Sequence, residues 1–276
     1  MSNDTAVSDH YRHGNLLEAI EAGLAKLGKT TDSVTIEDLA PVDEFHIGGR
    51  LATEHMLHRL DFSERDHVLD VGCGLGGVSR YVASTYDCSV SGIDLTQEYI
   101  DTGRELCRWV GLDSQVTLHQ GSALAMTFAN QTFDGGYMMH VGMNIADKAG
   151  LFAEIFRVLR PGAAFCVYDV MRNEECNLTY PVPWATEPST SALATPDHYK
   201  QALKGTGFDI SHETNRRDFA LDFFRQLRAK TKAAGGPPPL GLHTLMPEST
   251  PAKFKNMIDG IAADYVAPVE IIVRKR

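Results

Sequence analysis

The stretch Val68-Leu69-Asp70-Val71-Gly72-Cys73-Gly74-Leu75-Gly76-Gly77 sets the fold. With His67 before it, its first half is a short apolar run, the mark of a buried strand. Its second half is a glycine-rich turn, and helical spacing follows over Val78–Tyr86. Glycine lets the chain turn tightly from strand to helix and lets a ligand lie directly on the main chain. Gly72, Gly74 and Gly77 satisfy the spacing GxGxxG of dinucleotide sites. The glycines alone therefore do not separate a dinucleotide site from another ligand site, or from a turn that binds nothing.

Downstream the chain alternates. Strands are predicted over Ser89–Ile93, Gln115–His119, Thr132–Met138 and Ala163–Val170. Between them lie helices over Thr96–Val110, with Thr96 as N-cap, and Lys148–Leu159, stopped by Pro161-Gly162. Such alternation implies a parallel sheet covered on both faces. A helix over Asp197–Thr206, a sixth strand over Phe208–His212 and helices over Phe219–Ala233 and Pro251–Ala263 precede a last strand, Val269–Val273. The expected fold class is α/β, a doubly wound, mostly parallel seven-stranded sheet.

Upstream, an amphipathic helix covers Leu16–Leu24, a Thr/Asp/Ser-rich turn follows, PVDEFHIGG (41–49) is loop-like and Arg50–Leu60 is helical. We expect an N-terminal helical flap over residues 1–60, ahead of the main domain at 61–276. Asn173–Ala194 is rich in Pro, Thr and Ser and carries Pro181-Val182-Pro183-Trp184-Ala185. A connection that long is usually functional, so lid segments are expected at about 171–195 and 215–263. The second contains the break Gly235-Gly236-Pro237-Pro238-Pro239.

The chain has 276 residues, 43% hydrophobic and 22% charged, as in an ordinary globular protein. Its net charge of −10 argues against nucleic acid or an anionic membrane as main partner, since both attract cationic surfaces. No apolar run is long enough to span a bilayer. Met1–Gly14 lacks the apolar core of a signal peptide. Cys73, Cys88, Cys107, Cys166 and Cys176 form no CxxC pair and read as reduced thiols of a cytoplasmic protein. An oligomer is possible but not indicated.

Two acids narrow the ligand. Asp94 closes the second strand in Gly92-Ile93-Asp94-Leu95, where a carboxylate accepts hydrogen bonds from both ribose hydroxyls. Asp70 stands two residues before the first glycine, a place normally apolar in nicotinamide-binding turns. A carboxylate there suits a ligand with a cationic amino-acid end, which S-adenosylmethionine has.

Residues 67–170 closely resemble the class I methyltransferase domain, in particular the group around sarcosine/dimethylglycine N-methyltransferases and quinone-biosynthesis methyltransferases. The resemblance rests on VLDVGCGLGG (68–77), GIDL (92–95), QGSALAMTF (120–128), FDGGYMMHV (133–141) and EIFRVLRPGA (154–163). It continues into DEFHIGGR (43–50), similar to that group's flap, while PVPWA (181–185) and PPLGLHTLM (238–246) recur in related uncharacterised enzymes. The resemblance implies S-adenosylmethionine as cofactor and S-adenosylhomocysteine as product. Gly72, Cys73 and Gly74 would line the methionine end, Asp94 and Leu95 the ribose and adenine, and Ser122 and Ala123 the adenine edge. Family members commonly carry aspartate where Ser122 stands. His140 would lie beside the sulfonium, and His46, Gly48 and Gly49 would close over the methionine end.

A methyl sulfonium is already a strong electrophile, so the protein must mainly align the nucleophile and exclude water. A base is needed only for a nucleophile that arrives protonated. His140 is the candidate, with a purely positioning role as the alternative. Tyr137, Met143, Asn144, Trp184 and His243 are candidates for the acceptor side; core or capping roles are the plainer readings of Tyr137 and Asn144, and core packing that of Trp184. No carboxylate cluster suggests a metal: Asp169 and Glu174-Glu175 read as solvated loop charges. The expected reaction is methyl transfer to a small-molecule amine or other heteroatom, with C- or O-methylation of a quinone-like or natural-product acceptor as the alternative. A nicotinamide oxidoreductase and a non-catalytic cofactor-binding subunit are the remaining readings.

Overall fold

The computed structural model describes residues 11, 14–245 and 250–276. From Leu16 on, the first helices are α1 (Leu16–Lys26), α2 (Ile36–Asp43) and α3 (Gly49–Leu57). The alternating region follows as β1 (His67–Val71), α4 (Gly77–Tyr86), β2 (Ser89–Asp94), α5 (Gln97–Trp109), β3 (Val116–Gln120), β4 (Phe133–Met139), α6 (Lys148–Val158) and β5 (Leu159–Arg172). The chain ends with α7 (Pro196–Thr206), β6 (Phe208–Asn215), α8 (Arg217–Ala233), α9 (Thr250–Ala262) and β7 (Val266–Lys275).

The seven strands form one sheet in the order β3-β2-β1-β4-β5-β7-β6. All pairs from β3 to β5 are parallel, and β7 runs antiparallel between β5 and β6. This is the expected doubly wound sheet, closed by a late antiparallel hairpin. Val68, Leu69 and Val71 of β1 are fully buried, as an inner strand with helices on both faces requires. On α5 the buried positions Tyr99, Ile100, Thr102, Gly103, Leu106 and Cys107 repeat at helical spacing and face the sheet. Two apolar clusters fill the two faces: one around Phe133, Phe152, Ile155 and Phe165, the other around Val68, Val82, Ile100 and Tyr137.

The helix α2 departs from the sequence expectation, which gave a turn and then a loop from Pro41. Thr35 and Asp38 form a reciprocal capping box that starts it. Pro41 lies inside this helix and removes the bond to the Glu37 carbonyl. Glu37 is exposed, so water meets that carbonyl, while Leu39 and Val42 are completely buried and hold the helix in place. The strand β5 also starts earlier than expected and runs through Pro161-Gly162, with Gly162 at φ +82°. Thr96 stands at the N-cap of α5 but makes no side-chain capping bond.

The N-terminal helices do not pack on their own. Leu16, Ile20, Leu24, Leu39 and Val42 share a cluster with Leu75, Tyr99, Leu106, Leu240 and Leu245. The segment around 240–245 and the first helices thus pack together against α5 and the turn after β1. Residues 246–249, with Met246 of the PPLGLHTLM stretch, lie outside the described residues, as do most of the first 13.

Candidate active site

The strand order reverses between β1 and β4, and in such folds the crevice at the carboxyl ends of these strands receives the ligand. A cavity lies there, where small-molecule sites of such folds occur. Gly72, Cys73 and Gly74 line it from the turn after β1, Asp94 and Leu95 from the end of β2, and Ser122 and Ala123 from the turn after β3. Asp70, His140 and Asn144 line it from β1 and beyond β4, and His46 from the segment before α3.

The glycines have separate tasks. Gly72 sits at φ +70°, and a Cβ there would lie 2.2 Å from the Val141 side chain. Only glycine lets these two turns touch. At Gly74, φ +54°, a Cβ would meet nothing within 4 Å, so its bare backbone faces the open cavity.

Asp94 is fixed by two backbone donors: the N–H of Gly74 at 3.0 Å to one oxygen and that of Thr96 at 2.8 Å to the other. Burial pushes its carboxyl above the usual range, against the pull of these donors. Asp70, 3% exposed, accepts from Ser79 Oγ at 2.6 Å and Tyr137 Oη at 3.2 Å. Burial pushes its pKa up to about 7, so a neighbouring cation would draw it into the ionised form near neutral pH. Ser122 Oγ accepts from the Leu124 N–H at 3.3 Å.

His140 adopts the left-handed conformation, φ +57°, which folds its ring back onto β5. Its backbone N–H donates to the Tyr168 carbonyl at 2.8 Å, and its Nδ1 donates to the same oxygen at 3.3 Å. Since that oxygen can only accept, the proton resides on Nδ1. Nε2 then accepts, and the Ile47 N–H donates to it at 3.3 Å. Burial, with His46 nearby, pushes its pKa down to about 3. In this arrangement the imidazole is neutral and its lone pair is engaged. His46 is neutral too, its pKa pushed down to about 4 by burial. Its Nε2 donates to the Gly49 carbonyl at 3.0 Å and lies 3.1 Å from Thr53 Oγ1, which donates to Glu44.

Six candidates are not brought to the cavity. Gly48 begins α3 packed against Phe219, and Gly49 contributes its carbonyl to His46. Tyr137 is fully buried in the sheet and supports Asp70 from behind. Met143 and Trp184 are buried in a cluster with Ile47, Val170 and Phe224. The Trp184 indole donates to Ser191 Oγ at 3.1 Å and its carbonyl accepts from Asn144 Nδ2 at 2.8 Å, so both groups are satisfied by protein partners, one of them within the strap 173–195. His243 stays in the short turn Leu242–Thr244, and Leu245 two residues on lines the cavity instead.

Other residues of the site escaped the sequence. Tyr11, Phe45, Tyr99, Val141, Ile145 and Leu245 complete the walls. Tyr11 Oη donates to Asn144 Oδ1 at 3.2 Å, and an isolated aromatic in a polar N-terminus gives no periodic signal. Lys148, read only as a helix residue, is 2% exposed and donates to the carbonyls of Gly142, Ile145 and Ala192 at 2.8, 2.5 and 2.9 Å. Asp169 is not a solvated loop charge as expected: it is fully buried, and Tyr199 Oη donates to it at 2.6 Å.

Residues 68–162 match the family model described as a methyltransferase domain. An O-methyltransferase of Pyrenophora dematioidea is 28% identical over 203 residues, 72% of this chain and 73% of that protein. A sterol 24-C-methyltransferase of Eremothecium gossypii is 37% identical over 172 residues, 60% of this chain and 46% of that protein; the chain thus spans about half the length of the sterol enzyme. Among solved structures, the geranyl diphosphate C-methyltransferase of Streptomyces coelicolor A3(2) superposes with a TM-score of 0.73 over 100% of this chain and 99% of that one. At 16% identity that likeness concerns the fold. The chain is a class I, S-adenosylmethionine-dependent methyltransferase. The lining fits that cofactor in kind: Gly74 leaves its backbone bare, and the carboxyl groups of Asp94 and Asp70 lie at the β2 and β1 ends.

Proposed function

We propose that the enzyme methylates a small, uncharged acceptor, an amine or other heteroatom whose lone pair is free on arrival. The observation that carries this is the make-up of the cavity wall. Phe45, Val141, Ile145 and Leu245 line it together with two neutral polar groups, Tyr11 and Asn144. Among the described residues, no lysine or arginine lines the cavity, and its carboxylates (Asp43, Asp70, Asp94) belong to the flap and the β1 and β2 ends. An anionic acceptor would meet no counter-charge among the described residues, and burying an unpaired charge costs heavily. The geranyl diphosphate of the structural neighbour is therefore not the acceptor supported for this chain.

When bound, S-adenosylmethionine supplies an electrophilic methyl group on a positively charged sulfur. The turn at Gly72 to Gly74 would hold the methionine end, with Asp70 facing its ammonium. Asp94 would accept from the ribose hydroxyls, and Leu95, Ser122 and Ala123 would flank the adenine. The acceptor's lone pair forms the new bond to the methyl carbon as the carbon–sulfur pair leaves with sulfur, in line. Such a nucleophile needs no base, which fits two histidines held neutral, with pKa values of about 3 and 4. The roof of residues 44–49 and the strap would keep water out. The unpaired cysteines support a reducing, cytoplasmic setting. A second reading, transfer to oxygen or carbon, is favoured by the names of the two relatives.

The test is transfer of labelled methyl from S-adenosylmethionine to a panel of secondary amines, phenols, quinols and a prenyl diphosphate. Turnover of amines and none of the diphosphate is expected, whereas turnover confined to phenols or quinols would favour the second reading. Turnover confined to a carbon acceptor or to the diphosphate would contradict the proposal, and cofactor binding without turnover of any class would point to a non-catalytic subunit.

A further inference from the structure

The backbone of Ile47 is held at both of its polar atoms by residues far away in the chain. Its N–H donates to His140 Nε2 at 3.3 Å, and its carbonyl accepts from Tyr168 Oη at 2.9 Å. The two holders are themselves joined. The Tyr168 carbonyl accepts from both the N–H and the Nδ1 of His140, and the two rings lie 5.1 Å apart. Tyr168 therefore sets the His140 tautomer with its carbonyl and seizes Ile47 with its hydroxyl. Ile47 is 4% exposed, follows the cavity residue His46, and packs with Trp184, Met143 and Val170.

We propose that Tyr168 and His140 form a clip on Ile47 that holds segment 44–49 down over the cofactor, making Tyr168 a positioning residue of the enzyme. The inference rests on the assignment of the cavity to S-adenosylmethionine. Its main consequence is kinetic: cofactor or product can leave only when the two bonds on Ile47 open. It also gives His140 a part that requires no proton transfer, because the Nε2 lone pair is spent on the flap. Tyr168 does not line the cavity. Any effect of its hydroxyl on a bound ligand must pass through Ile47 or His140, which separates the clip from a direct contact.

The test compares wild type with Tyr168→Phe, using S-adenosylhomocysteine as the probe, with dissociation followed by stopped flow. Loss of one such bond corresponds to roughly a tenfold change, so dissociation should become about tenfold faster. Cleavage by protease near Phe45 should rise in the bound state, while the free protein loses no more stability than one buried hydrogen bond supplies. A dissociation rate within twofold of wild type would overturn the clip, as would an equal loss of stability in free and bound protein. Amide hydrogen exchange at Ile47 in the wild-type chain gives an independent reading. The clip requires slow exchange that S-adenosylhomocysteine slows further; exchange as fast as in an open loop would refute it even if the variant failed to fold. Should wild type bind no S-adenosylhomocysteine, the cofactor assignment fails, while slow exchange at Ile47 in the free protein would still support the contact.

Discussion

The floor and the roof of the cavity are built in different ways. The floor is more local: Gly74 and Asp94 are 20 residues apart, Asp70 and Ser79 only 9, and backbone N–H groups fix Asp94. The roof is distant: Ile47 reaches 93 residues to His140 and 121 to Tyr168, and Tyr11 reaches 133 to Asn144. Adjacent strand ends of one sheet fix the floor, so changes there should act on cofactor affinity. Side chains from separate elements assemble the roof, so changes there should act on exchange rates, water exclusion and acceptor choice.

The largest effect is expected at Gly72. In Gly72→Val a side chain must occupy space held by Val141, at a φ of +70°. Calorimetry should find S-adenosylhomocysteine binding weakened more than a hundredfold, with about 2 kcal/mol lost from stability in urea unfolding. Wild-type affinity would show that the two turns need not touch. Asp94→Ala should lose about 1.5–3 kcal/mol of binding, the scale of a charge-assisted hydrogen bond. An unchanged affinity would remove Asp94 from the floor.

Asp70 sharpens the comparison through pH. Its folded pKa of about 7 lies above the ordinary 3.8, so the fold retains a proton that the unfolded chain has released. Stability from this group is complete below the ordinary value and is lost as pH rises through about 7. Asp70→Asn should therefore be more stable than wild type at pH 8, by about 2 kcal/mol, yet bind S-adenosylmethionine more weakly. Urea titrations at pH 5 and 8 check the first half, and a variant less stable at pH 8 would contradict it.

Two smaller effects separate floor from roof. Lys148→Met leaves three carbonyls without their ammonium and should cost about 2 kcal/mol in urea, while S-adenosylhomocysteine affinity changes less than about threefold, since the strap and the 142–145 loop belong to the roof. A large affinity loss would merge the two regions. Ser122→Asp adds a carboxylate at the adenine edge and should tighten binding by about 1 kcal/mol; no gain in calorimetry would place that edge elsewhere.

The difference in construction also explains what the sequence made legible. The floor repeats local rules, so VLDVGCGLGG and GIDL located Asp70, Gly72, Gly74 and Asp94, all of which line the cavity. The roof depends on contacts that no window of sequence holds. Trp184, a tryptophan among prolines, reads as a ligand contact, but it is buried against Ile47, Met143, Val170 and Phe224 from other elements. Tyr168 read as one more sheet residue because its hydroxyl partner is on another element. The helix α2 was hidden by Pro41, although the Thr35–Asp38 capping box was present to be read.

The most direct measurement is calorimetric titration of the protein with S-adenosylhomocysteine, beside NAD and NADP. Micromolar binding of S-adenosylhomocysteine, weakened in Asp94→Ala by about 1.5–3 kcal/mol, with no heat from either nicotinamide cofactor, is the predicted result. No binding of S-adenosylhomocysteine, or binding of a nicotinamide cofactor in its place, would contradict the assignment of the cavity.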